Sequence, residues 1–277
     1  MTAERTPTSK DTSEFYDLSN RLVIDVWDEN FHQGYYLSAD DTSENRVAAD
    51  RLTDLVIGKT GLTAGSKLLD VGCGIGQPAF RLLETTDVEI VGVSNNEPQL
   101  EIANKRAEAR GLADKVRFEF ADGQALPFDE DSFDAVWIFE TIMHMDRLKC
   151  LGEALRVLKP GGVLVVTDQL QIGGEPSAEA AAKIEAFLSS MQASPLLDAD
   201  AYAALIGDAG LELVELVDLS ANAKPTGQRM IDSVNTRWDE LIATYGEEVA
   251  PILEMFRSPI GMIPELGYVL TVSRKPA

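Results

Sequence analysis

Between residues 67 and 167 short runs of branched apolar residues alternate with longer segments whose apolar positions recur every three to four residues. The short runs, at 67–71, 89–93, 116–121, 135–139 and 163–167, are brief and rich in Val, Ile and Leu, and they read as strands buried on both faces. The longer segments, at 78–84, 98–110 and 148–158, read as helices, the last closed by Pro160, Gly161 and Gly162. This β-α order predicts an α/β fold with right-handed crossovers and a ligand at the carboxyl ends of the strands.

The flanks are less regular. Residues 1–14 are polar and turn-forming, and read as a tail. From 15 to 62 the pattern is mostly helical, with Val47, Leu52, Leu55 and Val56 on one face, and the aromatic stretch from Phe31 to Tyr36 around Gly34 interrupts it. Beyond Asp168, residues 176–210 read as helices with Ala180, Ile184, Phe187 and Leu188 on one face, and 228–262 as a further helical insertion carrying Trp238, Tyr245, Met255 and Phe256. Strands at 211–219 and 268–274 complete a seven-stranded, mostly parallel sheet. The organisation expected is an N-terminal helical lid over 15–62 and an α/β domain over 63–277, with cap insertions at about 173–205 and 224–262.

Charge narrows the choice of partners. With 46 acidic against 24 basic residues and a net charge of -22, the chain repels nucleic-acid backbones and anionic membrane surfaces; a solvated acidic surface is the plainer explanation of the excess. Two cysteines, Cys73 and Cys150, make neither a disulfide framework nor a metal-ligand cluster. No metal is expected. With no apolar run approaching the ~20 residues of a membrane span, a soluble cytoplasmic protein is expected, and a homodimer is left open.

The chemistry-bearing signal is Leu69-Asp70-Val71-Gly72-Cys73-Gly74-Ile75-Gly76, a strand that enters alternating glycines and then a helix. The segment from Gly74 to Ala79 also fits the degenerate G-x-G-x-x-A form of a dinucleotide loop. Asp70, just before the loop, opposes a pyrophosphate and suits a positively charged amino-acid group, and Pro78 adds no donor at the helix start. Asp122-Gly123-Gln124 follows the third strand, and Phe133-Asp134-Ala135-Val136-Trp137 and Leu158-Lys159-Pro160-Gly161-Gly162 follow at the spacing of successive β-α units.

With four motifs in this order, residues 67–167 resemble the class I S-adenosylmethionine-dependent methyltransferases, which have a Rossmann-like core. The resemblance is strongest to natural-product small-molecule O-methyltransferases such as the rebeccamycin sugar methyltransferase. It implies S-adenosyl-L-methionine as cofactor and S-adenosyl-L-homocysteine as product. It places Asp70, Gly72, Cys73, Gly74, Gly76 and Gln77 at the methionine part, Asp122, Gly123 and Gln124 at adenine, and Glu140 at the cofactor's edge. Where many members carry an acid for the ribose, this chain has Ser94-Asn95-Asn96-Glu97-Pro98-Gln99, so Ser94, Asn95 and Gln99 are the ribose candidates. Upstream, the same resemblance brings Tyr16 to the cofactor carboxylate and His32 and Tyr35 to the substrate cavity; aromatic packing accounts for Phe31 and Tyr36 equally well.

Methyl transfer to a hydroxyl needs alignment in a dry site and an acceptor for the proton. His144, beyond the fourth strand in Glu140-Thr141-Ile142-Met143-His144-Met145, is the candidate base. Two adjacent histidines stand here in the resembling subgroup, and Met143 replaces the first. Asp168 matches an acid that accompanies the histidine, to orient it or to meet a substrate hydroxyl; a helix cap is the plainer alternative. Thr141 and Trp238 complete the substrate candidates. Apolar residues after Pro176 suit a polyketide-like or glycosylated acceptor, although core packing explains most of them. Three other readings stand beside methyl transfer: a cyclase or rearrangement catalyst on the same fold, a cofactor-binding scaffold without chemistry, and a dinucleotide oxidoreductase.

Overall fold

The computed structural model describes residues 22, 25–27, 29–257 and 262–277, so the expectation for Tyr16 lies outside the described residues. Seven strands form one sheet: β1 (Lys67–Val71), β2 (Glu89–Ser94), β3 (Val116–Phe120), β4 (Phe133–Phe139), β5 (Leu158–Gln171), β6 (Glu212–Asp218) and β7 (Leu266–Arg274). Their order is β3-β2-β1-β4-β5-β7-β6, with β7 antiparallel to both its neighbours and the other pairings parallel. The strand order reverses between β1 and β4, which opens a crevice at their carboxyl ends.

On one face, α1 (Asn45–Thr60), α2 (Gln77–Leu83) and α3 (Glu97–Ala109) pack Leu52, Phe80 and Ala103 against Leu68, Trp137 and Leu270. On the other, α4 (Arg147–Val157) and α6 (Ala199–Asp208) bury Leu151, Tyr202 and Ile206 against Leu69, Val136 and Val166. Polar residues fix the helix starts. The side chains of Asn96 and Asp146 accept from the backbone N–H groups of Gln99 and Lys149 at the entries to α3 and α4, and those of Ser177 and Asp198 do the same for α5 (Ala178–Ser190) and α6. After β6 come a single turn, α7 (Ser220–Ala223), then α8 (Pro225–Tyr245) and α9 (Ala250–Phe256). Among the described residues no helix is long and apolar enough to cross a membrane, and no cluster of side chains suits a metal.

Two expectations are corrected. The Pro160-Gly161-Gly162 stop lies inside β5, not after a helix: α4 ends at Val157, and the extra residues are taken up where the β4–β5 register shifts between Phe133 and Ala135. Within the lid, Leu22, Asp25 and Val26 are helical and helix resumes at Asn45, while the 33–36 backbone between them bonds elsewhere. Gly34 N–H donates to Thr226 Oγ1 at 2.9 Å, Tyr36 N–H donates to the Asn222 carbonyl at 3.1 Å, and the Asn222 amide donates back to the Tyr36 carbonyl at 2.7 Å. Second, α6 belongs to the sheet's core and not to the cap, since Tyr202 and Ile206 are fully buried against it. The cap that remains is α5 together with α8 and α9, and the last two share one apolar cluster with Leu22, Val26, Trp27 and Phe31 of the lid.

Candidate active site

The loop after β1 turns on left-handed glycines. Gly72 has φ 79° and its N–H donates to the Val93 carbonyl at 2.8 Å, as does the Cys73 N–H at 3.0 Å, which ties the loop to β2. A Cβ at Gly72 would collide with the Thr141 side chain. At Gly74, φ 52°, a Cβ would meet nothing within 4 Å, because that face of the backbone borders a cavity open to solvent.

Asp70 lines this cavity and is buried. Burial raises its carboxyl to about 7, the Trp137 indole on the adjoining strand countering only in part, and its Oδ2 reaches no hydrogen-bond partner among the described residues. Ser94, Asn95 and Gln99 line the wall at the end of β2, with the Ser94 hydroxyl donating to Gln99 Oε1 at 3.3 Å; Asp122 and Gly123 line the wall after β3. The lid closes the cavity with Glu29, Phe31 and His32. Arg106 holds that closure, donating to Glu29 at 2.6 Å, to Gln77 Oε1 at 2.7 Å and to the Ile75 carbonyl at 3.0 Å.

A second cavity lies between the sheet's carboxyl edge and the cap. Five of the seven methionines line it: Met143, Met191, Met230, Met255 and Met262. Phe31, Glu140 and His144 line both cavities.

The two titratable groups on this shared wall are set differently. His144 is buried, and its Nδ1 lies 2.9 Å from the Gln192 carbonyl, which can only accept; Nδ1 therefore carries the proton and Nε2 is the basic nitrogen of the neutral ring. Burial lowers its pKa, the Gln192 carbonyl and Asp168 opposing. Glu140 sits at φ 51°, a left-handed backbone that a side chain adopts only when its surroundings hold it there. Its Oε1 accepts from the Tyr268 hydroxyl and, at 2.6 Å, from the Gln33 N–H. Burial raises its carboxyl to about 8 despite those donors.

Not every expected residue reaches a cavity. Asp168 lines neither: it is fully buried on the opposite face of the sheet, where its Oδ2 takes Arg147 Nη2 at 3.1 Å and the Tyr202 hydroxyl at 2.7 Å. It makes no hydrogen bond to His144 in this arrangement, which corrects the expectation of a partner acid. Gln124 folds back, donating to Asp122 and accepting from the Asp146 N–H at 3.0 Å, so it braces the loop after β3 without lining the cavity. Gly76 is the N-cap of α2 and lies against Phe118 instead of the cavity. Tyr35 packs into the sheet's core, and Trp238 lies under Arg257 at 4.3 Å in the lid and cap cluster. His32 and Thr141 line the first cavity and not the second; His32 stacks on Phe139 at 4.3 Å, and burial lowers its pKa to about 4. Sequence reasoning passed over Glu29 and Met145 in the first cavity and Gln33, Gln169, Ser220, Lys224 and Tyr268 in the second.

Comparison with known proteins names the class. Residues 69–166 match the family described as a methyltransferase domain. The methyltransferase GfsG of Streptomyces halstedii is 35% identical over 97% of this chain and 95% of its own length. The 27-O-demethylrifamycin SV methyltransferase of Amycolatopsis mediterranei is 36% identical over 98% of both. The [4+2]-cyclase SpnF superposes with a TM-score of 0.85 at 30% identity, over the whole of both chains. The chain belongs to the class I S-adenosylmethionine-dependent methyltransferases, and S-adenosylmethionine is its cofactor. The first cavity fits that group: a buried carboxylate oxygen without a partner suits an ammonium, open space beside Gly74 admits a chain against the backbone, and the walls after β2 and β3 offer hydroxyl, amide and carboxylate groups.

Proposed function

We propose that this protein transfers the methyl group of S-adenosylmethionine to a hydroxyl of a large, mostly apolar natural product, polyketide-like or glycosylated. The observation that carries the reading is His144, a neutral imidazole on the wall shared by the two cavities, with its Nδ1 held by Gln192. When bound, the cofactor supplies an electrophilic methyl on a positively charged sulfur. Asp70 takes the cofactor's ammonium, the loop from Gly72 to Gly74 lies along its methionine chain, Ser94, Asn95 and Gln99 take the ribose, and Asp122 with Gly123 borders the adenine. Opposite, the acceptor lies in the methionine-lined cavity, whose unbranched side chains adapt to an irregular surface. His144 Nε2 takes the hydroxyl proton as the new bond forms, and lid and cap exclude water. The relative that acts on 27-O-demethylrifamycin SV supports an acceptor of this size. Two free, buried cysteines agree with a reducing cytoplasm.

A second reading is favoured by two observations. The cyclase SpnF shares 30% identity over the whole chain, and Met143 stands where the resembling subgroup has a histidine. Under it, the same two cavities hold the cofactor as scaffold and fold a reactive chain into one conformer. Methyl-labelled S-adenosylmethionine with a panel of hydroxylated macrocycles and glycosides, 27-O-demethylrifamycin SV among them, separates the two: methyl transfer leaves label in the acceptor and releases S-adenosylhomocysteine, whereas cyclisation changes the acceptor with all label retained in the cofactor. Sedimentation of the same sample decides between monomer and homodimer.

A further inference from the structure

Asp168 and Gln169 are neighbours on β5, and successive side chains on a strand point to opposite faces. Asp168 turns to Arg147 and Tyr202. Gln169 therefore turns the other way, opposite Tyr268 in the β5–β7 register, and lines the methionine-rich cavity. Its residue is only 6% exposed, and its Oε1 is buried without a hydrogen-bond partner. On the lid wall of the same cavity Trp27 Nε1 is also buried without one. Buried amides are almost always satisfied, and a methionine of similar length would fill the space without leaving a polar atom unpaired.

We propose that Gln169 is a specificity-determining residue, its side-chain amide hydrogen-bonding a second hydroxyl of the acceptor, close to the one that is methylated. Glu140 and His144 line the same cavity, which places the amide on the cavity that receives the reacting oxygen. A hydroxyl both donates and accepts, so it satisfies the amide whichever way the amide is turned. The chemistry selected is a polyol: an acceptor with hydrogen in place of the second hydroxyl leaves the amide unpaired and is discriminated against. This assignment rests on the second cavity being the acceptor site.

Gln169→Met and Gln169→Leu test it. Both variants keep the wild-type affinity for S-adenosylhomocysteine by calorimetry. Both melt at or above the wild-type temperature, by up to about 2–4 °C, because an unpaired polar group has been removed from an apolar wall. On 27-O-demethylrifamycin SV, kcat/KM falls by about tenfold, the size of one lost neutral hydrogen bond. Melting temperatures lowered by several degrees in both variants would show that the amide serves the fold, and unchanged kcat/KM would show that it does not read the acceptor; either overturns the proposal. Wild-type protein inert toward the whole acceptor panel would sink the methyl-transfer reading instead, and the melting temperatures would then decide on Gln169 by themselves.

Discussion

Replacing Asp168 by asparagine separates a structural buried charge from a catalytic one. The Asp168 side chain is 0% exposed and that of Arg147 9%, with N···O at 3.1 Å; a second contact, from Arg147 Nε, lies at 3.2 Å. In Asp168→Asn, Tyr202 still finds an amide oxygen, but the guanidinium loses its carboxylate. Removing one partner of a buried ion pair costs about 3–5 kcal/mol, against ~0.5–1.5 kcal/mol for a neutral hydrogen bond. Arg147 keeps the Pro195 carbonyl at 2.9 Å and touches some solvent, which places the cost at the low end, about 3 kcal/mol. For a domain of this size that is a fall in melting temperature of roughly 6–12 °C. The double variant Arg147→Met/Asp168→Asn, which removes both charges, recovers much of the loss. Because Asp168 lines neither cavity, turnover per folded molecule well below the melting transition changes by less than about tenfold. A variant that melts with the wild type yet loses ~100-fold in turnover would refute this reasoning and restore Asp168 to the reaction.

Two further substitutions probe the shared wall and the cofactor cavity. Asp70→Asn removes a charge-assisted contact to the cofactor's ammonium and weakens S-adenosylhomocysteine binding about 10- to 100-fold by calorimetry. With the Asp70 carboxyl raised to about 7, wild-type affinity declines as pH falls below that value and the carboxylate takes up a proton, whereas the variant lacks this dependence; an equal pH response in both proteins would count against the assignment. Glu140, raised from 4.5 to about 8, keeps its proton in the folded protein through a pH range in which the unfolded chain has lost it, so stability falls as pH rises from about 4.5 to about 8. Glu140→Gln removes that loss, and its gain in melting temperature over wild type grows across the same window; a constant difference would mean that Glu140 ionises normally.

The β-α alternation made the core legible because parallel strands buried on both faces leave runs that little else produces. The cofactor loop was legible for a related reason: Asp70, Gly72 and Gly74 act through backbone geometry and charge, which residue type carries directly. Asp168 and Gln169 were not, since their faces depend on where β5 ends. A strand stopping at Thr167 leaves both in a loop with no alternation, whereas β5 runs on to Gln171 and sends one to each side. The hold on His144 was invisible for another reason: it comes from the carbonyl of Gln192, 48 positions away, and any residue supplies a carbonyl. Tyr35 lies on a segment whose course is set by the bonds of Gly34 and Tyr36 to Thr226 and Asn222, and Trp238 lies on the part of α8 that packs against the lid; neither long-range pairing can be read from residue type.

The most direct test is a single-turnover experiment with methyl-labelled S-adenosylmethionine, comparing wild type with His144→Ala on one acceptor across pH. The wild type transfers label, and its rate falls on the acid side only below the pH at which an ordinary imidazole takes up a proton, because burial lowers the His144 pKa. The variant binds the cofactor as the wild type does and transfers about 100-fold more slowly. Equal rates in the two proteins, or an acceptor converted with every label still on the cofactor, would contradict methyl transfer through His144.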